Sequence, residues 1–153
     1  MKKLLTLFFL FGFGLAFLSC QNNEKQGLEY LQSEATRDLG LPFSDAVRVG
    51  NMLYLAGQIG TVPGTLELVE GGLEPEARQT IENIKRVLEA NGSSLEHAVK
   101  LTIFIDDIAQ WGEFNKVYVE YFGENLPARS AFGAEGLALG AQVEVECIAY
   151  IPD

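Results

Sequence analysis

The chain has 153 residues, enough for one domain, with 11 Lys+Arg against 21 Asp+Glu and a formal net charge of −10. That acidity disfavours nucleic acid as a partner, because affinity there comes largely from basic side chains that neutralise phosphates. One His and two Cys exclude most metal centres, which need several such ligands, and leave few routes to a His-assisted nucleophile.

The first residues read as an address. Lys2 and Lys3 precede an apolar run from Leu4 to Leu18, closed by the small residue Ser19. Together these form a secretory signal; the run is short and glycine-broken for a transmembrane anchor, the competing reading. Phe17-Leu18-Ser19-Cys20 resembles the lipobox of bacterial lipoproteins. That resemblance implies removal of residues 1–19 and lipidation of Cys20, leaving 9 basic against 21 acidic residues. Acyl chains on Cys20, at roughly 0.8 kcal/mol per buried methylene, would hold the protein on a bilayer. Residues 20–35 are then the lipidated Cys and its tether, and 36–153 the folded domain. The expected location is exported and membrane-anchored, on the periplasmic side of a bacterial envelope. A disulfide between Cys20 and Cys147 is disfavoured, because Cys147 lies in an apolar strand and lipidation consumes Cys20.

Within the domain, Ala46–Val49 and Met52–Ala56 are short apolar runs around the turn pair Gly50-Asn51, and predict a hairpin. Gly57-Gln58-Ile59-Gly60 leads into an exposed, Gly-rich loop reaching Gly72. Pro75 to Gly92 is a helix, since Ala77, Ile81, Ile84 and Leu88 recur on one face of a 3.6-residue period. Val99–Ile105 is an apolar, β-branched strand. Phe114, Val117, Tyr118 and Tyr121 mark a second helix that stops at Gly123, and Ala128–Phe132 is a short strand.

The last strand, Val143–Ile151, carries most information. Val143, Val145, Cys147 and Ala149 point one way; Glu144, Glu146, Ile148 and Tyr150 point the other. The second face mixes carboxylates with large apolar groups, and a partner subunit is its simplest cover. The order of elements predicts a two-layer α+β fold with segregated helices.

Arg129 is the first candidate for chemistry. An arginine inside an apolar strand must meet an anion, because its charge cannot be shed. That anion is either a ligand carboxylate or a structural partner, Glu144 or Glu146. Glu144 could activate a water or form a rim salt bridge, and spacing alone places Glu146 equally well. Asn115 and Gly57 have structural readings at least as good as functional ones. His97 reads as a surface residue beside Glu96, and Trp111 and Tyr118 as packing residues.

Taken together, the motifs resemble the RidA (YjgF/YER057c/UK114) family from about Pro42 to Pro152. The most specific part is Pro127-Ala128-Arg129-Ser130 followed by Val143-Glu144-Val145-Glu146. Gly50 through Ile59, Ala77-Arg78-Gln79-Thr80-Ile81-Glu82-Asn83-Ile84 and Phe114-Asn115-Lys116-Val117-Tyr118 support it. The resemblance implies a chorismate-mutase-like two-layer sandwich, a mixed sheet with two helices on one face. It implies a homotrimer around a central barrel, with ligands in the clefts between subunits. The implied activity is hydrolysis of enamines and imines such as 2-aminoacrylate to 2-oxo acids and ammonia, with no cofactor and no metal. A non-catalytic binding module for small carboxylates is the alternative. By the same resemblance, Arg129 grips the substrate carboxylate and Glu144 positions the hydrolytic water. Asn115, Gly57, Ala131 and Phe43 line the cleft. Phe43 stands where the family commonly has Tyr, Ala56 where it has Ser, and Ala131 where it has Cys.

Overall fold

The structure, a computed structural model, describes residues 27–153. The signal 1–19 and the lipidation residue Cys20 lie outside the described residues. One mixed sheet is built from β1 (Leu28–Leu31), β2 (Ala46–Val49), β3 (Met52–Leu55), β4 (Gln58–Ile59), β5 (Ala98–Ile105), β6 (Ala128–Gly133) and β7 (Val143–Tyr150). Its order is β1-β2-β3-β7-β5-β6, with β4 also paired to β7, and only the β5–β6 pair is parallel. The helices are α1 (Glu34–Asp38), α2 (Leu73–Ala90) and α3 (Trp111–Phe122). This is the expected two-layer α+β architecture.

The two longer helices form because each has one apolar stripe. Ala77, Ile81, Ile84 and Leu88 of α2 are all fully buried, as are Phe114 and Val117 of α3. They pack on Leu101, Ile103 and Ile105 of β5 and on Val143, Val145, Cys147 and Ala149 of β7. Gly92, at φ +78°, turns the chain out after α2, and Gly123, at φ +53°, ends α3. The side-chain alternation expected for the last strand is therefore observed. The sheet's other face, with Tyr54, Phe132 and Tyr150 at 45%, 53% and 39% exposure, has no cover among the described residues.

Two elements differ from expectation. β1 falls in the stretch expected to be tether. Its Leu28 and Tyr30 are exposed and only Leu31 packs against the core, so it gives no periodic signal; main-chain pairing to β2 holds it at the sheet edge. The Asp45 carboxylate anchors the same segment by accepting from Ser33 N–H and Thr36 Oγ1. Regular structure is thus present ahead of residue 36. The second difference is β4: Gln58–Ile59 pairs with Val145 and Glu144 before the loop begins. Asn83 Nδ2 then holds the departing chain by donating to Ile59 O and Thr61 O, both at 2.9 Å.

Candidate active site

Arg129 sits on β6, the edge strand. Its Cα partner on β5 is Leu101, whose side chain is fully buried under the helices, so Arg129 projects to the helix side. There it meets α3. Arg129 Nη1 donates to Asn115 Oδ1 at 2.8 Å, and its guanidinium carbon lies 4.4 Å from the Trp111 ring centre and 4.6 Å from that of Tyr118. No described carboxylate forms a salt bridge with it. A structural pair with Glu144 or Glu146 is therefore not made. Ala131, two residues on, shares the Arg129 face and is half-buried.

α3 is fixed in turn by Arg78 of α2. That guanidinium forks between Glu120, at 2.6 and 3.1 Å, and Glu74, at 3.0 Å. The hydrogen bond from Arg78 holds the Glu120 carboxyl below its ordinary range.

Glu144 lies on the opposite face of the sheet, beside Phe104 and Ile59. Gly57, in the break between β3 and β4, lies directly against it: a Cβ there would overlap the Glu144 carboxylate, with Cδ only 2.9 Å away. The glycine is required by close approach, since its φ is not positive. Burial pushes the Glu144 carboxyl above its ordinary value, and the charge of Glu146 pushes the same way. Glu146 itself is exposed. The raised value suits a group that takes a proton from water. Spacing places the two carboxylates alike, and their burial differs.

Glu76, in the first turn of α2, was not singled out from sequence. It is 2% exposed, and its Oε1 accepts from Gln142 N–H at 2.6 Å and Val143 N–H at 3.2 Å, pinning the start of the strand that carries Glu144. A signal was present: Glu76 falls on the buried stripe that runs through Leu73, Thr80 and Ile84.

The remaining candidates separate. Phe43 is exposed ahead of β2, and its carbonyl accepts from Gln32 Nε2 at 3.0 Å. His97 packs its ring 4.8 Å from that of Tyr150 and bonds Ser94 Oγ, away from both charged centres. Burial pushes the Cys147 thiol up to about 12, so it stays protonated and does not serve as a nucleophile. Among the described residues no group of three or more His, Cys, Asp or Glu could hold a metal ion, and no helix is long and apolar enough to cross a membrane. Two concavities open on the helix layer, one over Glu74, Arg78 and Lys116, the other beside His97 and Tyr121; Arg129 and Glu144 line neither.

Arg129 and Glu144 are thus two strands apart, about 10 Å at ordinary strand spacing, three residues or about 10 Å further along the strands, and on opposite faces. One chain does not aim both at one ligand. It presents two half-sites: a guanidinium with Asn115 and Ala131 at the sheet edge, and a carboxylate over a glycine on the open face.

A fold and a pair of half-sites of this kind match known proteins. The family model described as Endoribonuclease L-PSP matches residues 37–151. A RutC family protein of Pyrococcus horikoshii is 44% identical over 109 residues, spanning 71% of this chain and 86% of that protein. The 2-iminobutanoate/2-iminopropanoate deaminase of Mus musculus is 39% identical over 108 residues, spanning 71% of this chain and 80% of that enzyme. The crystal structure of RidA from an Antarctic Psychrobacter superposes with a TM-score of 0.69 at 42% identity, covering 72% of this chain and 89% of that one. The chain belongs to the endoribonuclease L-PSP family, the RidA/YjgF group that its motifs resemble.

Proposed function

We propose that this protein is an enamine/imine deaminase that converts 2-aminoacrylate-type intermediates, as their imine tautomers, to 2-oxo acids and ammonia. The observation that carries the reading is Arg129: half-buried, oriented by Asn115, and without a carboxylate partner among the described residues. A charge kept in that state awaits an anion from outside the chain. The substrate carboxylate takes that place. The water oxygen then bonds to the imine carbon as Glu144 accepts one of the water protons. The C=N electron pair moves to nitrogen, which takes a proton. Glu144 returns its proton as the nitrogen is protonated, and in the resulting carbinolamine the hydroxyl proton passes by way of Glu144 to the amino nitrogen; oxygen closes to C=O, the C–N bond breaks and ammonia leaves. Holding water and imine together supplies much of the rate, because the imine is already electrophilic.

Completing the site calls for a second copy. A homotrimer with the open sheet faces inward covers Tyr54, Phe132 and Tyr150. It also lets Glu144 and Gly57 of one subunit meet Arg129, Asn115 and Ala131 of another, with Phe43 at the rim. Light scattering of the full-length protein in detergent should give a trimer; a stable monomer at micromolar concentration defeats this assembly. The lipid anchor on Cys20 and the location in a bacterial envelope are part of the same proposal. Fatty-acid label that survives Cys20→Ala would refute the anchor.

The alternative, an exported binding module for small carboxylates such as 2-oxo acids, uses Arg129 alone. Glu144 favours the enzyme: a carboxylate held above its ordinary range is costly, and an anion site gains nothing from it. The deciding assay generates imines with an amino-acid oxidase and traps the remainder with semicarbazide. The protein should lower the trapped fraction and raise the 2-oxo acid. Unchanged trapping with intact 2-oxo acid binding establishes the binding module instead.

A further inference from the structure

Trp111, Asn115 and Tyr118 recur at intervals of four and three on α3, so one stripe of the helix closes on one guanidinium. Asn115 Oδ1 accepts a hydrogen bond from Nη1. The two rings, at 4.4 and 4.6 Å, attract the cation through their quadrupoles and consume none of its N–H donors. Nε and Nη2 have no hydrogen-bond partner among the described residues. An ion pair would have oriented Arg129 equally well, but it would have spent both the charge and the fork. Held by π faces, the guanidinium keeps its plane and its charge while one edge stays open.

Core packing alone leaves something over at each residue: exposure at Trp111 and, among the described residues, an unpartnered hydroxyl at Tyr118, whose ring does pack on Phe114 and Phe122. Trp111 is only half-buried. Tyr118 is 3% exposed, yet its hydroxyl has no partner among the described residues, so its place there is set by its ring. We propose that Trp111 and Tyr118 are positioning residues that fix the plane of Arg129, so that its Nε/Nη2 edge receives a carboxylate bidentately. They thereby set the affinity for 2-imino and 2-oxo acids. The inference rests on the reading of Arg129 as a carboxylate clamp, and it does not depend on turnover.

Trp111 is the single tryptophan of the chain, so its emission reports the clamp directly. Full-length protein is titrated with 2-oxobutanoate. The emission should change saturably, and Arg129→Ala should shift the ligand-free spectrum and abolish the response. By calorimetry, Trp111→Leu should weaken 2-oxobutanoate binding about tenfold, and Trp111→Phe, which keeps a π face, should recover most of it. In the imine assay the same loss should fall on KM with little change in kcat, as expected for binding shared by ground and transition states. Affinity unchanged in Trp111→Leu, or Phe no better than Leu, overturns the proposal. If Trp111→Leu does not fold, the Arg129→Ala spectra decide: emission indifferent to Arg129 overturns it equally. Intact binding and clamp signals without imine turnover uphold the clamp and refute only the deaminase.

Discussion

Removing the Glu76 carboxylate should cost more stability than any other single change to a charged side chain in this domain. Two backbone N–H groups, of Gln142 and Val143, point at Glu76 Oε1 at 2.6 and 3.2 Å, and Gln142 Nε2 reaches Oε2 at 3.5 Å. The site is 2% exposed, and Gly60 packs so closely on Glu76 that a Cβ there would come within 2.7 Å of its carbonyl oxygen. In Glu76→Ala both N–H groups lose their acceptor. At about 1–3 kcal/mol for each buried donor left unsatisfied, the loss is about 2–6 kcal/mol. The emptied volume adds to it. Against a total of about 5–15 kcal/mol for an ordinary domain, this removes a large fraction. Glu76→Gln keeps one acceptor oxygen and most of the shape, giving up only the charge assistance, so it should lose about 1–2 kcal/mol. The assay is urea denaturation of parent and variants at one fixed protein concentration, because assembly couples stability to concentration. A Glu76→Ala loss below about 1 kcal/mol would mean that the strand start is held otherwise. So would equal losses for Ala and Gln.

Arg129→Ala should abolish imine hydrolysis and 2-oxo acid binding while the melting temperature stays near that of the parent, since no carboxylate among the described residues depends on Arg129; Arg129→Lys should not rescue, because lysine lacks the planar fork. Glu144→Gln should cut kcat strongly and spare 2-oxobutanoate affinity, whereas Glu146→Gln should alter neither; like behaviour of the two would show that the wrong carboxylate is assigned. Because burial and Glu146 raise the Glu144 carboxyl, the folded state holds that proton more tightly than the unfolded chain does, and the associated stability is lost as pH rises from about 4.5 through the raised value. Glu144→Gln should therefore melt higher than the parent at pH 7, with the gap closing near pH 4, and the acid limb of the parent's rate profile should have its midpoint above 4.5. Gly57→Ala places a Cβ against the Glu144 carboxylate, the movable end of a side chain, so it should lower kcat by about a hundredfold with little loss of melting temperature.

The parts of the fold legible in the sequence are those in which burial imposes a period. Val143, Val145, Cys147 and Ala149 alternate with Glu144, Glu146, Ile148 and Tyr150 because one face of β7 lies under α2 and α3. β1 is invisible to that test: its hydrogen bonds go to β2, and of its four side chains only Leu31 packs on the core. Glu76 was hidden for the opposite reason. An acidic residue in a first helical turn is well explained by the helix dipole, which masks its place on the buried stripe. Trp111 and Tyr118 read as packing residues, and they do pack, against Phe114 and Phe122. Their second contact, with Arg129, depends on where β6 lies relative to α3, which spacing within either element does not specify.

The same limit governs the two charged residues. An arginine and a glutamate in apolar strands that follow one another in sequence can be partners or strangers, and the choice rests on strand order and register. The parallel pairing of β6 sets Arg129 opposite Leu101, which faces the helices, while the antiparallel pairing of β7 sets Glu144 opposite Phe104, which faces away. That register forbids the internal ion pair. On the proposed reading the cation is then left for a substrate carboxylate and the carboxylate for a water, and neither half-site is complete alone. The uncovered face bearing Glu144 and the edge bearing Arg129 are two consequences of one strand order. A variant that blocked assembly without touching either residue should then lose hydrolysis as fully as Arg129→Ala does.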